Sequence, residues 1–211
     1  MVELRNVTYT CKYGRTIEYP DWSLRQGTQA LVCGKQGTGK TTLLYLLAGL
    51  LKPSRGSIEV CDKNITTASP REIDKLRGRY IGLVTPEPVF IKEFTIQDNL
   101  LMTQQLGSGN ANMEKLYMLL HEFGIAGKAQ EYPAALSRLE LRLVSILRAV
   151  INRPKLILAD EPTANLNTLE RNMIFSVLTH QARNYESTLV LASSNLKIRD
   201  FFRNQLKLQN V

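Results

Sequence analysis

Apolar positions fall on two different periods along this chain, and the changes between them lay out an architecture. Val2, Leu4 and Val7 alternate with polar residues, as in a strand with one buried face, and residues 57–60 read the same way. The two segments are expected to pair as an antiparallel β edge around a loop holding Lys12, Tyr13 and Gly14. A continuous apolar run over Gln29–Cys33 comes next, then a glycine-rich turn and a Leu-rich helix over 40–50 that Pro53 stops. Ser69, with Glu72 three residues on, forms a capping box for a helix near 70–77, and 80–84 follows as a buried strand.

Between 93 and 150 the strand pattern disappears. Residues 97–106 and 113–123 carry helical spacing on either side of a polar turn at 107–110. Strand and helix then alternate again: a strand at 155–159, a helix at 168–183, a strand at 188–192, a short helix and a last strand near 205–208. Such alternation predicts the α/β class, a mainly parallel sheet covered by helices. The whole of 1–211 reads as one domain, with a core of 1–92 and 151–211 and a helical insertion subdomain at about 93–150.

Composition narrows this only a little. The hydrophobic content of 44% is enough for a buried core. The formal net charge of +8 comes from Lys and Arg scattered without any long run, so it suits an anionic nucleotide, an acidic membrane face or nucleic acid alike. Cys11, Cys33 and Cys61 lack any Cys-x-x-Cys spacing, which predicts neither a zinc site nor a disulfide framework and fits a reducing, intracellular setting. No apolar run approaches the length of a spanning helix, so a membrane role would come through a partner.

The chemistry concentrates in two places. Gly34-Lys35-Gln36-Gly37-Thr38-Gly39-Lys40-Thr41, followed by Thr42, matches GxxxxGK[ST] between an apolar strand and a helix, the context that motif requires. Glycines let backbone N–H groups crowd around phosphates, Lys40 reaches the β and γ oxygens, and the Thr41 hydroxyl is placed to ligate magnesium. At 156–161 an apolar strand delivers Asp160 and Glu161 at its C-terminal end. Asp160 reads as a magnesium ligand through water and Glu161 as the general base for the attacking water. Two acids after a strand also suit the cap of a following helix.

The order of these elements around a helical insertion, with Leu136-Ser137 ahead of a helix leading into the second motif, resembles the ATP-binding-cassette (ABC) family over nearly the whole chain. Ala48-Gly49-Leu50, Pro53-Ser54-Arg55-Gly56 and Asp160-Glu161-Pro162-Thr163-Ala164-Asn165-Leu166-Asn167 add to the likeness. The last stretch is similar to the bacterial subgroup that serves lipoprotein release, macrolide export and cell division.

Several positions depart from the family pattern. Leu136-Ser137-Arg138-Leu139-Glu140 stands where the family has Leu-Ser-Gly-Gly-Gln, and Ser137 reads equally as a helix cap. Pro86 stands at the Q-loop glutamine, with Glu87 either its substitute or a plain turn residue. Asn167 replaces the D-loop aspartate, and Ser194 stands at the switch histidine that reaches the γ-phosphate. Cys11 sits near the adenine-stacking aromatic, with Tyr13 or Tyr9 in reach to supply a ring.

The resemblance thus implies a P-loop NTPase that binds Mg-ATP. It would be the ATP-binding subunit of a membrane transport complex, peripheral at the cytoplasmic face of the inner membrane. Its implied partners are a permease subunit and a second cassette, as homodimer or heterodimer, with no nucleic acid. Turnover would be slow or partner-dependent, the alternative being a degenerate regulatory module that binds ATP as a switch. Val89, Phe90, Ile91 and Phe94, expected to be exposed, read either as a groove for a permease helix or as a small satellite core.

Overall fold

In the computed structural model, which describes residues 1–12 and 14–209, strand β1 (Val2–Thr10) receives both β2 (Thr16–Glu18) and β3 (Trp22–Leu24) antiparallel. Strand β4 (Gln29–Cys33) leads through the glycine-rich loop into helix α1 (Lys40–Leu47). Then follow β5 (Arg55–Val60), β6 (Lys63–Asn64), α2 (Pro70–Tyr80) and β7 (Ile81–Val84). The next strand comes only after α3 (Ile96–Ser108), α4 (Met113–Glu122) and α5 (Arg138–Val150). The chain closes with β8 (Leu156–Asp160), α6 (Thr168–Asn184), β9 (Thr188–Ser193) and β10 (Asn204–Lys207).

Two sheets result. One is parallel, in the order β10-β4-β9-β8-β7; the other is antiparallel, with β1 against β5 as the expected edge pairing. Strands β4, β7, β8 and β9 of the parallel sheet are apolar on both faces, unlike the edge strand β10, and the strict alternation of side chains divides them between two cores. Leu31, Cys33, Ile157, Ala159, Leu189 and Leu191 pack with apolar residues of α3 to α6. Ala30, Val32, Leu156, Leu158, Val190 and Ala192 face the other way, into a core shared with α1 and the antiparallel sheet. Both faces of the sheet are therefore sealed, and the ends of β4, β8 and β9 are left as the place where polar side chains gather.

Some expectations shift. Helix α1 ends well before Pro53, because Gly49 at φ 66° lets Gly49 N–H reach Leu46 O and Leu50 N–H reach Tyr45 O, a Schellman stop. Gly107 and Ser108 belong to α3, not to a turn, and Gly109 at φ 75° ends the helix. Tyr80 is the last residue of α2, not the first of a strand, with Arg79 and Lys155 over its ring. Phe90 is not exposed: it packs half-buried on the first core, with the Arg148 guanidinium 4.9 Å above its ring. Val89, Ile91 and Phe94 are exposed as expected.

Candidate nucleotide-binding site

The loop between β4 and α1 turns sharply at Gly39, whose φ of 94° a side chain would strain. No side chain caps α1, so its first-turn N–H groups stay open at the positive end of the helix dipole. Tyr19 braces the turn from β2's side, its hydroxyl donating to Gly39 O at 3.0 Å. Burial pushes that phenol well above its ordinary range, so it stays a neutral donor. Nothing in the sequence marks Tyr19 for this role, since it acts on a loop twenty residues away.

Lys40, though charged, is only 6% exposed. Its ammonium donates to Gly34 O and Lys35 O, each at 3.0 Å, and lies 3.8 Å from Glu161 Oε1. Gln36, Gly37, Gly39, Lys40, Thr41 and Thr42 line one wall of a cavity of about 610 Å³. Glu161, Asn165 and Ser194 form the opposite wall, and Cys11, Arg15 and Ile17 close one end. Gly34, Lys35 and Thr38 lie behind the loop, against Leu208, in a separate hollow of about 330 Å³. Gly34 and Lys35 meet the Lys40 ammonium through their carbonyls. Tyr13 lies outside the described residues; Arg15 and Ile17, which composition did not single out, hold the corresponding end of the cavity.

Asp160 ends β8 with no exposed surface, and neither carboxylate oxygen has a partner in hydrogen-bonding geometry. Burial raises its carboxyl above the ordinary range, the neighbouring Thr41 hydroxyl opposes this, and Glu161 and Lys40 act in opposite directions beyond that. A buried, unanswered carboxylate is costly unless a cation compensates it. Its neighbour Thr41 adds a second hard oxygen, and magnesium characteristically takes one or two such ligands and completes its shell with water and phosphate oxygens. The residues present therefore fit that ion.

Glu161 adopts φ 41°, with its backbone N–H on Ala192 O at 2.9 Å. This turn folds the side chain over the end of β9. There Oε1 accepts from Ser194 N–H at 2.6 Å and Oε2 from the Ser193 hydroxyl at 3.2 Å. It does not cap the following helix, which begins only at Thr168, so the alternative reading of these two acids fails.

The remaining family positions are engaged within the chain. Ser137 caps α5, and Glu140 closes the capping box, so both ends of 137–140 are satisfied locally. Arg138 is exposed and Leu139 packs half-buried on the first core. Asn167 caps α6 with Glu170 in the same manner. Arg142, 5% exposed, donates to Thr85 O at 2.7 Å and Pro86 O at 2.5 Å, and Arg148 donates to Val89 O. Both His121 and His180 are exposed.

A P-loop lysine facing a strand-end Asp-Glu pair across one cavity defines a P-loop NTPase. Residues 17–164 match the family model described as "ABC transporter", and the chain belongs to that family as an ATP-binding, ATP-hydrolysing subunit. It is 34% identical to the lipoprotein-releasing system ATP-binding protein LolD of Buchnera aphidicola subsp. Acyrthosiphon pisum, over 82% of this chain and 76% of that one. To LolD of Rickettsia bellii it is 27% identical over 100% of this chain and 96% of the other. Among solved structures it resembles the dimeric bacterial ABC transporter cassette MJ0796, with a TM-score of 0.90, 25% identity and coverage of 99% and 94%. A post-hydrolysis dimer of that cassette bound to ADP and Pi superposes at TM-score 0.89, with 25% identity over 99% of this chain and 94% of that one. No helix among the described residues is long and apolar enough to cross a membrane.

Proposed function

We propose that this chain binds Mg-ATP as one cassette of a membrane complex of the lipoprotein-releasing type and turns it over slowly. The observation that carries the reading is the buried, unpartnered Asp160 carboxylate beside Thr41, facing a helix N-terminus left uncapped. On this reading Lys40 exchanges the carbonyls of Gly34 and Lys35 for the β and γ phosphate oxygens, and the first-turn N–H groups of α1 hold the same anion. Thr41 and Asp160 would hold magnesium, which supplies charge neutralisation at the phosphates when bound. Glu161, already held toward the cavity, orients and deprotonates the attacking water.

The domain is best divided into a core of 1–92 with 151–211 and a helical insertion at about 93–150. A permease would dock where Val89, Ile91 and Phe94 are exposed beside α3, placing the protein at the cytoplasmic face of the inner membrane. A second cassette, identical or paralogous, would close over the nucleotide. One set of observations favours a second reading, an ATP-binding switch with negligible hydrolysis: residues 137–140 serve as a helix cap, and Arg142 and Arg148 pin 85–89.

Calorimetry with Mg-ATP tests the binding core of this proposal. Lys40→Ala should abolish detectable binding, because it removes the buried ammonium beside the uncapped helix end. Undiminished affinity in that variant would sink the assignment of the P-loop.

A further inference from the structure

The turn after β9 holds the Glu161 carboxylate by both of its oxygens. The resemblance to the family points to Ser194 at this turn, yet that residue is exposed and the contact it makes is through its backbone N–H, at 2.6 Å from Oε1. Any residue except proline supplies that group. Ser193 is different: it is 1% exposed, and its hydroxyl lies 3.2 Å from Glu161 Oε2. The same hydroxyl oxygen accepts from Asn195 N–H at 3.1 Å, which directs its own proton toward the carboxylate.

Resting on the proposal that Glu161 orients the attacking water, we infer that Ser193 is a positioning residue that fixes the plane of the Glu161 carboxylate. The terminal torsion of a glutamate is broad, so one hydrogen bond to one oxygen leaves the group free to turn. A second bond to the other oxygen removes that freedom. The third anchor, Lys40 at 3.8 Å from Oε1, is withdrawn when its ammonium turns to phosphate, so the two bonds from the β9 turn are what remain during turnover. The Glu161 main chain is also tied to Ala192 O at 2.9 Å, so the acid and the turn that orients it move as one piece. The structure thus places in Ser193 an orienting contact on the base, while the position of the switch histidine contributes only its main chain.

Four variants of the full chain test this: Ser193→Ala, Ser193→Thr, Ser194→Ala and Glu161→Gln. ATP turnover, ATP affinity by calorimetry and exchange of the Ser194 amide are measured on each. Ser193→Ala should lower kcat by about tenfold or more, the loss typical of one charge-assisted bond, with KM and affinity moving less than about twofold. Ser193→Thr should restore most of the rate, and Ser194→Ala should lose several-fold less than Ser193→Ala. The Ser194 amide should exchange faster in Ser193→Ala, because the carboxylate that protects it is no longer held, and this readout holds at any turnover rate. Parent-like exchange in Ser193→Ala, or a loss that threonine does not restore, overturns the inference. Parent-like turnover in Glu161→Gln overturns the underlying reading of Glu161 instead. Abolished turnover in Glu161→Gln beside parent-like turnover in Ser193→Ala overturns the positioning role alone.

Discussion

At the N-terminus of α1 no side chain closes the helix, whereas at the N-termini of α5 and α6 Ser137 with Glu140 and Asn167 with Glu170 close both helices from within. The same contrast separates the nucleotide cavity from the loops beside it. On the P-loop side and at the end of β8, the first-turn N–H groups and both Asp160 oxygens await an external partner. In the segments 85–90 and 137–140, which line a different hollow, and at the cap residue Asn167, polar groups are bound to this chain's own helices and to Arg142 and Arg148. Open groups bind a ligand at once, but tied groups, Lys40 on the P-loop side among them, must first release their partners to reach a nucleotide or a second subunit. On the proposed reading, the molecule keeps the parts of an ABC cassette that would grip nucleotide and has committed to its own fold the parts that would sense it.

The largest expected effect on this contrast comes from cutting a tie. Arg142→Ala should cost about 2–3 kcal/mol, because it removes two charge-assisted bonds to main-chain carbonyls and leaves a cavity under the loop. A urea midpoint lowered at unchanged slope, with faster proteolysis within 85–90, is the expected result; an unchanged midpoint would show that these bonds fix nothing. A smaller effect, of opposite sign, should follow from filling the open side. Asp160→Asn removes a buried charge whose desolvation outweighs the help of Thr41 and Lys40, so the nucleotide-free protein should gain about 1 kcal/mol, or about 2–4 °C in Tm. The same variant should lose the added stabilisation that magnesium brings to ATP. A lower Tm without ligand would contradict the account of Asp160 as a charge held in waiting.

The open half was the more legible in the sequence, for a physical reason. A P-loop is a local device: its glycines, lysine and threonine act within eight positions of one another, between a strand and a helix that announce themselves by apolar spacing. The inner parallel strands β4, β8 and β9 are equally plain, being apolar on both faces. What escaped was set by distant partners or by very short elements. Strands β2, β3 and β6 span only two or three residues, too few for an alternation to appear. Phe90 reads as exposed in the sequence because its cover, Arg148, lies 58 positions on and approaches only once α5 is folded against the loop. Arg142 looks like one more charge on a basic helix, and its bond to Thr85 O spans 57 positions. Ser193 gave no signal beside Ser194, since burial separates their roles and sequence does not show burial.

The central claim, that binding is retained while turnover is curtailed, is tested most directly by measuring both on one sample of the isolated protein. Calorimetry should show one Mg-ATP bound per chain. Steady-state phosphate release should run on the order of 10² to 10³ below that of a cassette domain with intact signature, Q-loop and switch positions, the loss expected when phosphate-stabilising contacts are missing. Saturable binding with brisk release that Glu161→Gln abolishes would contradict the account, since the tied loops would then be no obstacle to catalysis.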